Sequence, residues 1–457
     1  MNERCAKLKD ETKYMEIAGE VIKKAQKAGA EHSEVYFTAS EELSIDIRDQ
    51  EVETMKKANE FGIGLRVIKD QKVGFAFTSE IKPESLENLV REAVANSEKT
   101  SVDEYNIIPE PSKIYPSVDV YDPDLEHVSI ERKIELAKEI EQYGKNFDKR
   151  VKITETCTYE DSKYLIVIVN SKGIESSYRG TFAGAYSYFV AEENGEHQTG
   201  FGMQFSTKIR DLNPKEIGIE GAQKAVSMLG AKNIKSQKAA VVLDPYVMTN
   251  FFSIIAPALT ADSVQKDKSL FKGKIGQKVA SELITIVDDG RMNGGIFSAP
   301  FDGEGVATSE TVLINNGILQ GFLYNTYTAA KDGVESTGNG VRLSSYRGTP
   351  EVGTTNFYLK EGKYSKDKLI SEVKKGLYVT EVMGMHTANP ISGDFSIGVA
   401  GIWIEDGEFA YPVKGAVIAG NILEFLSSVD FVADDLRFFA GKGAPTVRVS
   451  EITISGD

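Results

Sequence analysis

An α+β fold in three units is what this sequence predicts, and three observations predict it. A helix, a strand meander and a closing helix are written over residues 1–110 and, in the same order, over residues 111–232. Residues 233–457 are glycine-rich and β-patterned, which predicts a large β-rich C-terminal domain. The 457 residues, at roughly 150 per domain, suffice for about three hydrophobic cores. With 41 glycines against 13 prolines, the chain has the texture of many tight turns and not of a disordered linker.

The first unit opens on a helix from Glu11 to Ala28, with Ala18, Val21, Ile22 and Ala25 on one face and Gly29 as its stop. Glu34–Thr38, Leu43–Arg48, Gly62–Ile68 and Lys72–Phe77 alternate or are β-branched and read as strands; Pro83 then begins a helix reaching about Lys99. Pro109, Pro111, Pro116 and Pro123 mark a linker that few contacts should cross. In the second unit Ser129 caps a helix carrying Ile130, Ile134, Ala137 and Ile140. The unbroken apolar run Tyr164–Val169 predicts a strand buried on both faces, followed by a turn at Asn170–Gly173 and a strand over Phe182–Val190. Asn213, Pro214 and Glu216 have the cap, first-turn proline and third-position acid of a helix start. Beyond Ser236, Asn316-Gly317 and Asp406-Gly407 place hairpin turns within Val312–Ile318 and Ile402–Glu408.

The chain carries 53 basic and 68 acidic residues, a net charge of −15, and no concentrated basic patch, so neither nucleic acid nor an anionic membrane is an expected partner. Residues 1–7 are charged and lack the apolar core of a signal peptide, and no apolar run approaches the ~20 residues of a membrane span. Cys5 and Cys157 lie far apart in a chain large enough to dispense with disulfides. The expected location is the reducing cytoplasm.

His32, His127, His197 and His386 are never closer than 70 positions, so no local zinc signature exists, and each alone reads as a surface or hydrogen-bonded residue. There is no G-x-S-x-G elbow, no complete dinucleotide turn and no phosphate-cradling Gly-Lys loop. The clusters Asp288-Asp289-Gly290 and Asp302-Gly303-Glu304-Gly305 have oxygen ligands for a hard cation, but their spacing is not that of a calcium loop, and they read as turns.

Taken together, Gly273-Lys274-Ile275-Gly276, Asp288-Asp289-Gly290, Phe301–Gly305, Leu313–Leu319, Ser336–Gly340, Ile391–Ser396, Ile404–Gly407 and Tyr411–Gly415 resemble the TldD/PmbA family, once called modulators of DNA gyrase. In that family's TldD-like branch, H-E-x-x-x-H on a helix before the G-K-x-G stretch and a cysteine near the C-terminus hold zinc. The two histidine positions fall here on Phe252 and Pro257 and the glutamate on Ser253, and Leu436–Thr446 contains no cysteine. Phenylalanine and proline offer zinc no lone pair, and serine cannot act as the glutamate base. The pattern is similar to the PmbA/TldE branch.

That resemblance implies a non-catalytic subunit without catalytic residues, metal or cofactor of its own, with zinc in a TldD-like partner. The partner would form a heterodimer with it, or the chain would form a homodimer, around an unfolded peptide substrate. Asn339, His386 and Asp394 are the candidate peptide-cleft or interface residues. Two other readings stand beside this one: a self-sufficient peptidase, with His386 and Asp394 as the place to look, and a regulatory binding protein acting on topoisomerase.

Overall fold

The computed structural model describes residue 8 and residues 10–456; Cys5 and the charged residues 1–7 lie outside them. The first half of the chain runs α1 (Glu11–Lys27), β1 (His32–Arg48), β2 (Glu51–Lys69), β3 (Lys72–Thr78), α2 (Pro83–Ser97), α3 (Ile130–Phe147), β4 (Val151–Asn170), β5 (Glu175–Glu193), β6 (Glu196–Ser206) and α4 (Pro214–Ser227). Its caps are those the sequence specifies. Ser129 Oγ accepts from Arg132 N–H at 3.2 Å, and Asn213 Oδ1 accepts from Glu216 N–H with Pro214 in the first turn.

Both helix–meander–helix units contribute to one antiparallel sheet of order β3-β2-β1-β4-β5-β6. The seam is β1 against β4, paired continuously from Glu34↔Asn170 to Asp46↔Thr158. The strands expected at 34–38 and 43–48 are therefore a single strand. Ser40-Glu41-Glu42 reads as a break by composition, but β1 is hydrogen-bonded on both sides, and ladder pairing overrides weak strand propensity.

Period-2 alternation sorts this sheet's two faces. Val35, Phe37 and Ala39 pack under α1 and α2, and Leu43, Ile45 and Ile47 pack near α3 and Ile217 of α4, all on the same face. The even positions point the other way, where Tyr36, Ile166 and Ile168 meet Phe301 and Tyr346 of the C-terminal domain. The run Tyr164–Val169 is apolar throughout because Leu165, Val167 and Val169 serve the helix side while Ile166 and Ile168 serve the domain side.

The proline-spaced segment is a strap and not the sparsely contacted linker its composition suggests. Asn170 Nδ2 donates to Pro109 O (2.9 Å), Thr181 N–H to Val120 O (2.9 Å), and Tyr115 Oη to Gly305 O (3.0 Å), while Ser112 Oγ accepts from Ala307 N–H (3.0 Å). Prolines remove donors without preventing an extended chain from being tied by its carbonyls and side chains.

The C-terminal region builds two six-stranded sheets around α5 (Pro245–Ala258). One orders Ile318–Leu319, Glu310–Asn315, Ile286–Asp289, Phe357–Leu359, Lys442–Ala444 and Arg437–Phe439. The other orders Glu408–Asn421, Asp394–Glu405, Lys375–Met383, Gln237–Leu243, Val447–Ser455 and Val429–Val432, and closes on itself where Val417 and Ile418 pair with Ser455 and Ile454. Met248, Phe251, Phe252 and Ile255 of α5 join both sheets in one core. Both expected hairpin turns form, with positive φ at Asn316 (46°), Gly317 (77°), Asp406 (48°) and Gly407 (84°). Among the described residues no helix is long and apolar enough to cross a membrane.

Candidate functional site

The joint between the first sheet and the C-terminal domain is ionic at its centre. Glu34 on β1 and Arg66 on β2 are cross-strand partners on the domain-facing side. Arg66 Nη2 donates to Glu34 Oε2 at 2.9 Å and to Glu304 Oε1 at 3.2 Å, and Arg342 Nη2 pairs with Glu34 Oε1. Arg342 also donates to Gly303 O and Gly348 O, each at 2.7 Å, and its guanidinium stacks 4.5 Å from the Tyr36 ring centroid. Glu304 takes a further bond from Thr326 N–H (2.8 Å).

Asp302, beside it, accepts from the backbone N–H of Glu304, Val306 and Gly340. Burial first, then the neighbouring Glu304 charge, raises the Asp302 pKa well above the usual carboxylate range. Glu34 and Glu304 are balanced by Arg66 and Arg342. A buried set of this kind fixes how two surfaces register more than it adds net stability. The turn reading holds for Asp302 but not for Glu304 or Asp288: Glu304 closes the joint, and Asp288 lies in the strand Ile286–Asp289, where it accepts from Thr355 N–H and Oγ1 and from Asn339 Nδ2 across the chain, while burial raises its pKa to about 6.

Tyr346 docks beside this joint because β2 carries glycine where it crosses. A Cβ at Gly62 would lie 2.2 Å from the Tyr346 ring, and one at Gly64 would lie 2.3 Å from the Tyr346 carbonyl oxygen. Small residues at these even positions therefore allow the contact.

Arg66 also lines a cleft of about 760 Å³ between the first sheet and the C-terminal domain. Its lining includes Phe252, Ser253, Ala256 and Pro257 of α5, the 349–354 segment and Lys442. The three degenerate motif positions thus sit together on one cavity. Phe252 is fully buried with its ring edge-on to Phe357 at 4.9 Å and has no lone pair to give, and Ser253 Oγ, which donates back to Asn250 O, is a neutral hydroxyl outside the Cys, His and carboxylate set that holds zinc. Ala440 and its neighbours offer no sulfur. Among the described residues no three His, Cys, Asp or Glu side chains are grouped as metal ligands. The residues present do not fit zinc.

Asn339 is buried beneath the 349–354 wall. Its Nδ2 donates to Asp288 Oδ2 (2.7 Å) and Gly353 O (3.0 Å), and its backbone carbonyl accepts from Gly353 N–H. It positions a cleft wall and does not line the cleft itself. His386 and Asp394 are exposed, lie off the cleft, and share no hydrogen bond; Asp394 accepts from Asn421 Nδ2 at 2.9 Å. Cys157 is buried, with its thiol donating to Ala137 O and its pKa raised by burial. Sequence reasoning missed Glu34, Arg66, Arg342 and Lys442 and read Glu304 only as part of a turn. The one available signal was Gly62-x-Gly64-x-Arg66, two glycines and a charge on alternate positions of an otherwise apolar strand.

Fold and cleft define a mixed helix–sheet protein with a peptide-sized groove between a sheet and a β-rich domain. Family models for the PmbA/TldA metallopeptidase match three stretches: domain 1 at residues 33–97, the central domain at 123–229 and the C-terminal domain at 236–456. The chain belongs to the PmbA/TldD metallopeptidase family. It is 28% identical over 428 residues to a metalloprotease PmbA of Escherichia coli O157:H7, covering 93% of this chain and 92% of that one. Among solved structures it resembles a Thermotoga maritima protein named for a supposed modulation of DNA gyrase (TM-score 0.89, 30% identity, 97% of this chain and 100% of that one). It shares its fold with TldE of Thermococcus kodakarensis (TM-score 0.88, 24% identity, 96% and 100%).

Proposed function

We propose that this chain is a non-catalytic, TldE-like subunit of a cytoplasmic zinc peptidase that degrades or processes unfolded peptides, with the zinc carried by a TldD-like partner. The observation that carries the reading is α5, where Phe252, Ser253 and Pro257 stand at the zinc-motif positions and all line the same cleft. A helix that keeps its place on a peptide-sized cleft while offering no ligand suits a role in shaping or holding substrate. Pairing with a homologous chain by a pseudo-two-fold axis suits this fold, and a homodimer is the expected state of the chain alone.

The test is co-expression with a TldD-like protein of the same genome, followed by peptidase assays on each chain and on the mixture. Cleavage should require the TldD-like chain, rise when this chain is added and vanish when the partner's motif glutamate is replaced. Chelator-insensitive cleavage by this chain alone would refute the subunit reading.

A further inference from the structure

Five charged side chains line the cleft, and three are neutralised within the fold. Lys266 is paired with Asp262 at 2.9 Å, and Arg66 sits between Glu34 and Glu304. Glu351 is exposed at the lip, where water solvates it. Lys442 is different. It begins the strand Lys442–Ala444, is half-buried against the cleft, and has no hydrogen bond or ion pair among the described residues. Its pKa is lowered by burial alone. Arg66, by contrast, is nine-tenths buried with its charge balanced, so it adds no free cation to the cleft. An ammonium left unpaired beside the apolar surfaces of Phe252, Pro257 and Val352 creates a positive potential where the local dielectric is low.

Resting on the subunit reading for the peptide nature of the ligand, we propose that the cleft is a carboxylate pocket anchored by Lys442, which holds the free C-terminal carboxylate or an acidic side chain of an unfolded peptide. One unpaired ammonium matches a monoanion. A phosphate would call for several convergent cations, and the net charge of −15 repels polyanions. A volume of about 760 Å³ accommodates the end of a peptide and not a folded protein.

The test uses the chain alone and titration calorimetry with three acetylated tetrapeptides: one with a free C-terminal acid, the same peptide as its amide, and an amide containing one glutamate. The free acid should bind about ten times more tightly than the amide, the scale of one charge-assisted hydrogen bond. Lys442→Met should bring the two within about twofold, and Lys442→Arg should retain the preference. The glutamate amide distinguishes the sources: binding like the free acid means that any carboxylate is taken, and binding like the plain amide restricts the pocket to chain ends.

Equal affinities for acid and amide in the unsubstituted protein, no binding of either, or a preference that survives Lys442→Met overturns the proposal. The first two comparisons need no variant, so they stand even if Lys442→Met folds poorly. Because the partner is absent, a chain that prefers acids but never associates with a TldD-like subunit refutes the subunit reading and leaves the pocket intact.

Discussion

Replacing Arg342 with methionine tests whether the ionic joint holds the first sheet to the C-terminal domain. The Arg342 side chain is almost wholly buried and makes four contacts: the Glu34 carboxylate, the carbonyls of Gly303 and Gly348, and the Tyr36 ring. Methionine keeps much of the stem's packing but strands both carbonyls, at about 1–3 kcal/mol each. Glu34 retains Arg66 at 2.9 Å, so its share falls below the about 3–5 kcal/mol of breaking a buried pair outright. A loss of about 4 kcal/mol follows.

The control lies five residues on, where Arg347 pairs with Glu60 in solvent and should be replaceable without moving the midpoint. Urea unfolding followed by Trp403, the single tryptophan and buried in the closed C-terminal sheet, reports the domain, while far-UV dichroism reports the secondary structure of the whole chain. In Arg342→Met the two signals should separate as the sheet parts from the domain. Adding Glu34→Gln should cost less than the sum of the two single losses, because the residues pair with each other. Coincident transitions with a loss no larger than that of Arg347→Met would falsify the picture of a joint closed by Arg342.

Gly64→Ala should destabilise by about 1–3 kcal/mol because its Cβ meets the Tyr346 carbonyl, whereas Gly19→Ala in α1, with nothing within 4 Å, should stabilise by about 0.5–1 kcal/mol; thermal melts of the pair check both signs. Burial raises the Asp288 pKa to about 6, so the folded state holds its proton more tightly than the unfolded chain does. Stability from this group is therefore present below about pH 4 and lost as pH rises through about 6, on the order of 3 kcal/mol, and Asp288→Asn should flatten that part of the stability–pH curve. After dialysis, elemental analysis should find far less than one zinc per chain; about one tightly bound zinc would contradict the ligand inventory around Phe252, Ser253 and Pro257.

What was legible in the sequence is what short-range chemistry dictates. Asn316-Gly317 and Asp406-Gly407 turn because two adjacent residues tolerate positive φ, Ser129 and Asn213 cap because their side chains reach the next turn, and Tyr164–Val169 is apolar throughout because both its faces are covered. The three motif positions on α5 could be placed by counting, and they do share one cleft. The ionic joint could not be read in this way. Glu34 and Arg342 are 308 positions apart and Arg66 and Glu304 are 238 apart, and a lone arginine in a strand carries no local mark of what it will meet. The proline-spaced strap misled for the complementary reason: composition records the donors proline removes, while Tyr115 and Asn170 supply tethers from elsewhere.

The same long-range contacts make joint and cleft one mechanical unit. Arg66 is both a wall of the cleft and the bridge between Glu34 and Glu304, and Glu304 also holds Thr326 N–H, at the start of the 326–332 helix whose Tyr327 and Thr328 line the cleft. Across the cleft, Asn339 ties Gly353 to Asp288, and Asp302 accepts from Gly340 in the ribbon that pairs with Glu351 and Val352. Any force that parts the first sheet from the C-terminal domain therefore pulls on both walls, and any peptide that fills the cleft bridges the two bodies. Binding and joint closure should be linked: a ligand that prefers the closed form stabilises it by the ratio of its affinities for the two states, and a loosened joint lowers affinity by the same factor. That reciprocity would give the proposed non-catalytic subunit a physical means to act, since the geometry of its cleft is tied to joint contacts 238 and 308 positions apart in the chain.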